Sequence, residues 1–433
     1  MISYGGVDTV IDDQQLCALL VEACEKLGPQ QRVLAVPPDF TRADSRAGLL
    51  TTAAHQYYGA ALCDILPALG THDPMPAWQL DRMFPGIPHD LFRVHDWRND
   101  VVTVGTIESE TVSAATEGVW DRPWPAQLNQ LVAHGGHDLI LSIGQVVPHE
   151  VVGMANHAKN LFVGTGGKDG INESHFIGAA YGMERMMGRA DTPTRRLLTL
   201  ASDRFLGDRL VLWVLTVVGP AKEGEQGDHH GLVTRGVYIG TGIDCFEQAC
   251  ALAQLVNFQQ LDEELDTVVV YLDPEEFHST WLGNKSVYRT RMAIADGGEL
   301  IVLAPGLETF GEDKAIDALI RKYGYRTTPE IMAALENNVD LGENLSAAAH
   351  LIHGSSEGRF TVRYCPGPGL SREEIEGVGY AWGDLEDYRQ RYDPTQLRPG
   401  FNSCQGQRVF YIPNPALGLW AYRGRFAESN TQS

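Results

Sequence analysis

The chain has 433 residues, 43% of them hydrophobic, with 34 Lys and Arg against 56 Asp and Glu, a formal net charge of −22. That length predicts two domains, and the acidic balance disfavours a nucleic-acid or anionic-membrane partner, so an anionic substrate must be met by a few local cations. No apolar run of about 18 residues, no secretory leader and no CxxC pair among seven scattered cysteines (Cys17, Cys24, Cys63, Cys245, Cys250, Cys365, Cys404) occur, which argues against a membrane span, a disulfide scaffold and a zinc ribbon and predicts a cytoplasmic protein.

Short β-branched or apolar runs alternate with helix-like segments, the pattern of an α/β protein. A helix is predicted from about Asp12 to a stop at Gly28, followed by a buried strand in RVLAVPPDFTR. A helix over LLTTAAHQYYG, a strand over ALCDILPALGTH and a strand over HDLILSIG come next. The stretch DRLVLWVLTVVGPAKEGEQGDHHGLVTRG reads as a long strand, an exposed acidic turn holding His229 and His230, and a return; a helix FEQACALAQLV follows. A polar link then leads to a new buried strand at Thr267 to Leu272, which sets the expected domains at 1–266 and 267–433. In the second, a helix is predicted from Ser286 to Ala295, a strand at ELIVLAP, and helices around DKAIDALIRKYG and PEIMAALENN; the polar tail FAESNTQS is expected to fray. The expected architecture is two α/β domains with largely parallel sheets and the active site in the cleft between them.

Four loops concentrate chemistry, and polar residues after strand ends are where open α/β sheets bind ligands. PPDFTRADSR places Asp39 and Arg42 after a strand, where Arg42, oriented by Asp39, offers a fork suited to a carboxylate. GTHDPMP fixes His72 between a Gly-bearing turn and a Pro. The segment HEVVGMANHAKNLFVGTGGKDGINESH carries His149, His157, Lys159 and His175. Its glycines fail both nucleotide templates: Phe162 and Asp169 break a phosphate loop ending at Gly167-Lys168, and Asp169 breaks a dinucleotide fingerprint starting at Gly164. WLGNKSVYRTRMAIADGGE sets Lys285 at a helix start beside the apolar Trp281 and Leu282. His134, His137, His350 and His353 read as surface or capping residues.

Taken together, these loops resemble the nickel-pincer lactate racemase family. Asp39-Phe40-Thr41-Arg42 is similar to its D-x-T-R motif, Gly70-Thr71-His72 with Pro74-Met75 to its G-T-H-x-P-M motif, and Pro148-His149 to its second histidine loop. Lys159 lies ten residues beyond His149 and His175 sixteen beyond Lys159, which matches the family's spacing, and Lys285, twelve before Gly297-Gly298, resembles its substrate lysine. The resemblance implies a racemase or epimerase acting at C2 of a 2-hydroxy acid. Its cofactor would be nickel in a pyridinium-3,5-bisthiocarboxylic acid mononucleotide, supplied by cofactor-synthesis enzymes and tethered covalently to Lys159. It further implies His175 as nickel ligand, His72 and His149 as general acid/bases on opposite substrate faces, and Arg42 and Lys285, with Asp39 and Trp281, at the substrate. The C2 hydride would pass to the cofactor as one histidine takes the hydroxyl proton.

The chain departs from the lactate-acting pattern at Ala155-Asn156-His157-Ala158, where a Gly-Gly-Arg run is expected, at Val151, where an aromatic is expected, and at Trp281-Leu282, where Tyr-Gln is expected. A small Val151 suggests a substrate larger than lactate, such as an aldonate. The alternative is a metal-dependent hydrolase or lyase in which His149, His157 and His175 hold the metal; their spacing is looser than zinc sites usually show.

Overall fold

The computed structural model describes residues 1–428. The chain is a mixed α/β protein with largely parallel sheets, divided into two compact units: residues 1–177 with 186–257, and residues 178–185 with 258 onward. The change of unit falls at Asn257/Phe258, ahead of the expected 266/267, because Phe258–Leu261 runs parallel with Leu419–Tyr422 in the second unit.

In the first unit, β1 (Ile2–Gly5) is followed by helix α1 (Asp13–Leu27), which the Asp12 side chain caps by accepting from the Gln15 N–H at 2.7 Å. Gly28 ends it with φ of 87°, a conformation that favours a residue without Cβ. Strands β2 (Val33–Val36), β3 (Leu62–Ile65) and β4 (Leu139–Gln145) are mutually parallel, with β2 in the middle and helix α2 (Ala47–Tyr58) between β2 and β3 in the chain. The short helix α3 (Ala158–Phe162), helix α4 (Lys168–Tyr181), whose residues 178–181 belong to the second unit, and then α5 (Pro193–Phe205) lead to β5 (Leu210–Pro220), which pairs parallel with β4. β6 (Leu232–Gly240) returns antiparallel and meets β1, giving the order β1-β6-β5-β4-β2-β3, and α6 (Asp244–Asn257) closes the unit.

Leu16, Leu20 and Cys24 of α1 and Leu50 and Ala54 of α2 are buried in one core with Val33, Ala35, Leu139, Leu141 and Ile143 of the sheet. Because the chain goes from β2 to β3 on one side and to β4 on the other, the crevice at the carboxyl ends of β2 and β4 is a topological switch point, the place where such sheets take ligands.

The second unit is built on β7 (Leu265–Tyr271), β8 (Ile294–Ala304), β9 (Thr361–Pro366), β10 (Ala381–Trp382), β11 (Gly400–Cys404) and β12 (Gln407–Ile412), in the order β10-β9-β8-β7-β12-β11. All its pairings are parallel except the β11–β12 hairpin. The helix expected at 286–295 is a single turn, Lys285–Tyr288, because the chain beyond it tightens through Ala293 N–H to Thr290 and delivers Ile294 to pair with Leu265. Of the tail expected to fray, Phe426–Glu428 belongs to the helix Arg423–Glu428, and residues 429–433 lie outside the described residues.

One buried amide ties the switch point to the segment after it. Asn160 Nδ2 donates to the Val36 carbonyl at 2.9 Å and to Ser142 Oγ at 3.0 Å, bridging the ends of β2 and β4 from α3. Asn160→Ala removes the donor that these two acceptors share, and a loss of about 1–3 kcal/mol is expected. Urea denaturation measures it; an unchanged midpoint would show the bridge to be dispensable.

Candidate functional site

Three loops leave the carboxyl ends of β2, β3 and β4, and each carries one of the residues singled out in the sequence. After β2, two prolines end the strand and a 3-10 turn, Phe40–Ser45, begins; prolines cannot donate to a sheet ladder. Asp39 is buried at the head of this turn. Its Oδ1 accepts from the Thr41 hydroxyl at 2.5 Å, and its Oδ2 faces His72 Nδ1 at 2.5 Å. Asp39 thus holds His72, a pairing the sequence reading did not include beside its Asp39–Arg42 pair, and the Arg42 charge also acts on Asp39. Burial opposes ionisation of Asp39, but the bonds from His72 and Thr41 and the His72 and Arg42 charges outweigh it and hold its pKa below the ordinary value. With Nδ1–H committed to Asp39, the neutral His72 ring presents Nε2 as an acceptor.

His149 follows β4 in a two-residue ladder in which Pro148 opposes Met154 and His149 opposes Gly153. The Val151 N–H donates to its Nδ1 at 3.1 Å, so the neutral ring carries its proton on Nε2. Val151 is itself fully buried. Burial first, and then the charges of Lys159, Arg42 and His175, push the His149 pKa well below 6.5, with Glu150 opposing them. Glu150 Oε2 lies 3.8 Å from His149 Nδ1.

Lys159 sits in the first turn of α3. Burial and the neighbouring Arg42 bring its pKa down to about 8, against the pull of Glu150 and Asp39. His175, on α4, donates Nδ1–H to the Ile171 carbonyl one turn back at 2.7 Å, which fixes the ring and leaves Nε2 as its lone-pair atom. Burial and the Lys159 charge lower its pKa, opposed by the Ile171 bond and Glu150. Asp39, Arg42, His72, His149, Lys159 and His175 thus share one electrostatic neighbourhood in the first unit.

His157 is not part of a metal cluster. Its buried ring lies on Trp213 (centroids 4.1 Å apart, 33° between planes) and Phe246 (5.3 Å, 37°), and burial together with the Arg195 charge lowers its pKa to about 3. Among the described residues the groups of three metal-capable side chains are Asp44–His229–His230 and Cys63–Asp64–His137, so the His149, His157 and His175 set expected for a hydrolase does not assemble. Arg195 braces the loop before Lys159: its Nη2 donates to the Met154 carbonyl at 2.6 Å and the Asn156 carbonyl at 3.1 Å, and its guanidinium lies 4.2 Å from the Phe246 ring centre. Nothing in the sequence spacing points to Arg195; Glu150, next to His149, was within reach of it.

Lys285 and Trp281 belong to the second unit. Lys285 Nζ is 5.6 Å from the Phe277 ring centre, and the Trp281 indole lies against His350 with ring centres 4.4 Å apart and planes 32° from parallel. His350 and His353 are buried, not surface or capping residues as expected; His350 Nε2 lies 3.0 Å from the Tyr325 hydroxyl, and Tyr364 and Tyr380 both donate to Asn284 Oδ1, beside Lys285. His137 also leaves its expected surface role, with its side chain buried and Nε2 2.9 Å from Asp64.

No family model and no curated protein matches the chain. Among solved structures it is similar to a Thermotoga maritima protein, with a TM-score of 0.80 at 22% identity over 97% of this chain and 100% of that one. It is also similar to the lactate racemase apoprotein of Thermoanaerobacterium thermosaccharolyticum, with a TM-score of 0.70 at 14% identity over 97% of this chain and 94% of that one. These likenesses establish a shared fold.

A lysine with pKa of about 8 is half neutral at pH 8, whereas an ordinary one, with pKa ~10.4, is well under 1% neutral. In competitive acylation read by peptide mass spectrometry, Lys159 is expected to titrate near pH 8 and to lead the other lysines in rate per site. A midpoint near the ordinary lysine value would contradict the environment described.

Proposed function

We propose that the protein is a racemase or epimerase that inverts C2 of a 2-hydroxy acid. The observation that carries this is the Asp39–His72 bond beside a buried His149, with Lys159 and His175 acting on His149 through their charges, all in segments that follow three adjacent parallel strands. The fold shared with a lactate racemase apoprotein supports it.

The residues fit the cofactor that the motif resemblance implies. A partly neutral Lys159 amine suits covalent attachment of a carboxyl-derived group. His175, with Nδ1–H held by a backbone carbonyl, has the arrangement of a metal-ligating imidazole and would hold nickel through Nε2. When bound, the nickel-pincer nucleotide supplies reversible hydride uptake at C2. Loading it is the task of cofactor-synthesis enzymes in this reading.

The chain's own groups do the proton work. His72 Nε2 accepts the hydroxyl proton, and Asp39 stabilises the imidazolium that results. Arg42 holds the substrate carboxylate. His149 serves the opposite face. Protonating it at Nδ1 gives up the bond from Val151, and Glu150 is the carboxylate placed to receive that new N–H. Lys285 and Trp281 enter as substrate-binding residues on the motif resemblance alone. A sugar acid remains the proposed substrate class, scored with a panel of chiral 2-hydroxy acids; because Val151 is fully buried, its small side chain does not itself support extra room.

Intact-protein mass spectrometry and metal analysis on protein co-produced with the synthesis enzymes should find a nucleotide-sized adduct on Lys159 and stoichiometric nickel. An unmodified Lys159 would sink the proposal. Asp39→Asn and His72→Ala should each lower inversion by about 10²–10⁴-fold while keeping the adduct; full activity in either would remove His72 as a base. Glu150→Gln deletes a charge that favours protonated His149. The falling alkaline limb of the pH–rate profile, which needs that protonated form, should move to lower pH, and an unmoved limb would exclude Glu150 from the step.

A further inference from the structure

We propose that Asp44, His229 and His230 form a surface site for a divalent first-row transition cation, of the Zn²⁺ or Ni²⁺ kind, separate from the reaction above and independent of it. One ligand atom from each of these three residues lies within 4.8 Å of the other two. His230 Nδ1 is 2.9 Å from both Asp44 oxygens, and the His229 and His230 ring centres are 3.9 Å apart. Two imidazoles and a carboxylate form a donor set that suits zinc, nickel or cobalt rather than the oxygen-seeking magnesium or calcium. Exposure of both histidines leaves room for water to complete the coordination.

The three donors hang on a frame that does not depend on them. In the connection from β5 to β6, Asp228 Oδ1 accepts the His230 and Leu232 N–H groups at 2.9 and 2.8 Å. Its Oδ2 pairs with Arg46 Nη2 at 2.7 Å, and Arg46 also donates to the Leu232 carbonyl at 3.2 Å and Thr234 Oγ1 at 3.3 Å. The connection is thereby pinned to the chain just after Asp44, so a cation meets side chains already gathered and little ordering remains to oppose binding. The excess of acidic residues raises the local concentration of cations around the surface. Asp44 lies in the same 3-10 turn as Arg42, so an occupied site would clamp the β5–β6 connection onto the turn that carries Arg42.

The test uses the full-length, tag-free chain with His175→Ala throughout, so that failure of the racemase reading and failure of this site are told apart. Zn²⁺ and Ni²⁺ are titrated by calorimetry, and Co²⁺ by visible absorption. One binding event should weaken at least about tenfold in His229→Ala and in Asp44→Asn, and the rise in melting temperature with Zn²⁺ should shrink in both. These residues lie at the surface, and circular dichroism verifies that the variants fold. Absence of binding, or binding that survives undiminished in both variants and so belongs elsewhere, at Cys63–Asp64–His137 for instance, overturns the proposal.

Discussion

Positive charge gathered away from water is the constraint on which the first unit's site depends. Arg42 acts on His149 and Lys159, Lys159 on both histidines and His175 on His149, and the carboxylates of Glu150 and Asp39 oppose them. An arginine cannot surrender its proton under ordinary conditions, so the others yield: both imidazoles are driven towards neutrality and the amine is brought to the edge of it. Neutral imidazole and neutral amine are the forms that take protons, bind metals and attack carbonyl carbon. The same crowding that would destabilise four cations therefore prepares three reactive groups. This local field runs against the acidic character of the chain as a whole, which says little about the sign met inside.

The sheet supplies the positions. β2, β3 and β4 are adjacent and parallel, so the three loops after them emerge on one edge without a long excursion by any of them. Asp39 then joins the first loop to the second through His72, and Asn160 joins α3 to the ends of β2 and β4. Each bond comes from a short side chain on a buried segment, which fixes direction better than a long flexible one. Lys159 inherits its place from the residue after it.

Much of this was legible in the sequence. The α1 helix announced its cap and its stop, the buried strands stood out as apolar runs, and the loops after β2, β3 and β4 were marked by Asp39, Arg42, His72 and His149. What escaped was pairing across the fold. Asp39 bonds to a histidine thirty-three residues away, and no local rule points from one to the other. His157 looked like a ligand because histidine type is visible and its aromatic neighbours, Trp213 and Phe246, are distant in the chain. His350 and His353 failed for the same reason. The predicted helix at 286–295 had suitable spacing, yet strand pairing by Ile294 took precedence over local preference, as tertiary contacts commonly do.

The second unit borrows a piece from the middle of the first. Residues 178–185 belong to it although the chain on both sides does not. Glu184, in that piece, contacts Arg359 at 2.8 Å and the buried Arg291 at 3.6 Å. A polypeptide starting at Phe258 would leave the buried Arg291 with Glu357 at 4.0 Å in place of its nearer carboxylate, and weakening the pairing of a buried guanidinium is costly. Cutting the chain at the unit boundary therefore does not yield two self-sufficient halves.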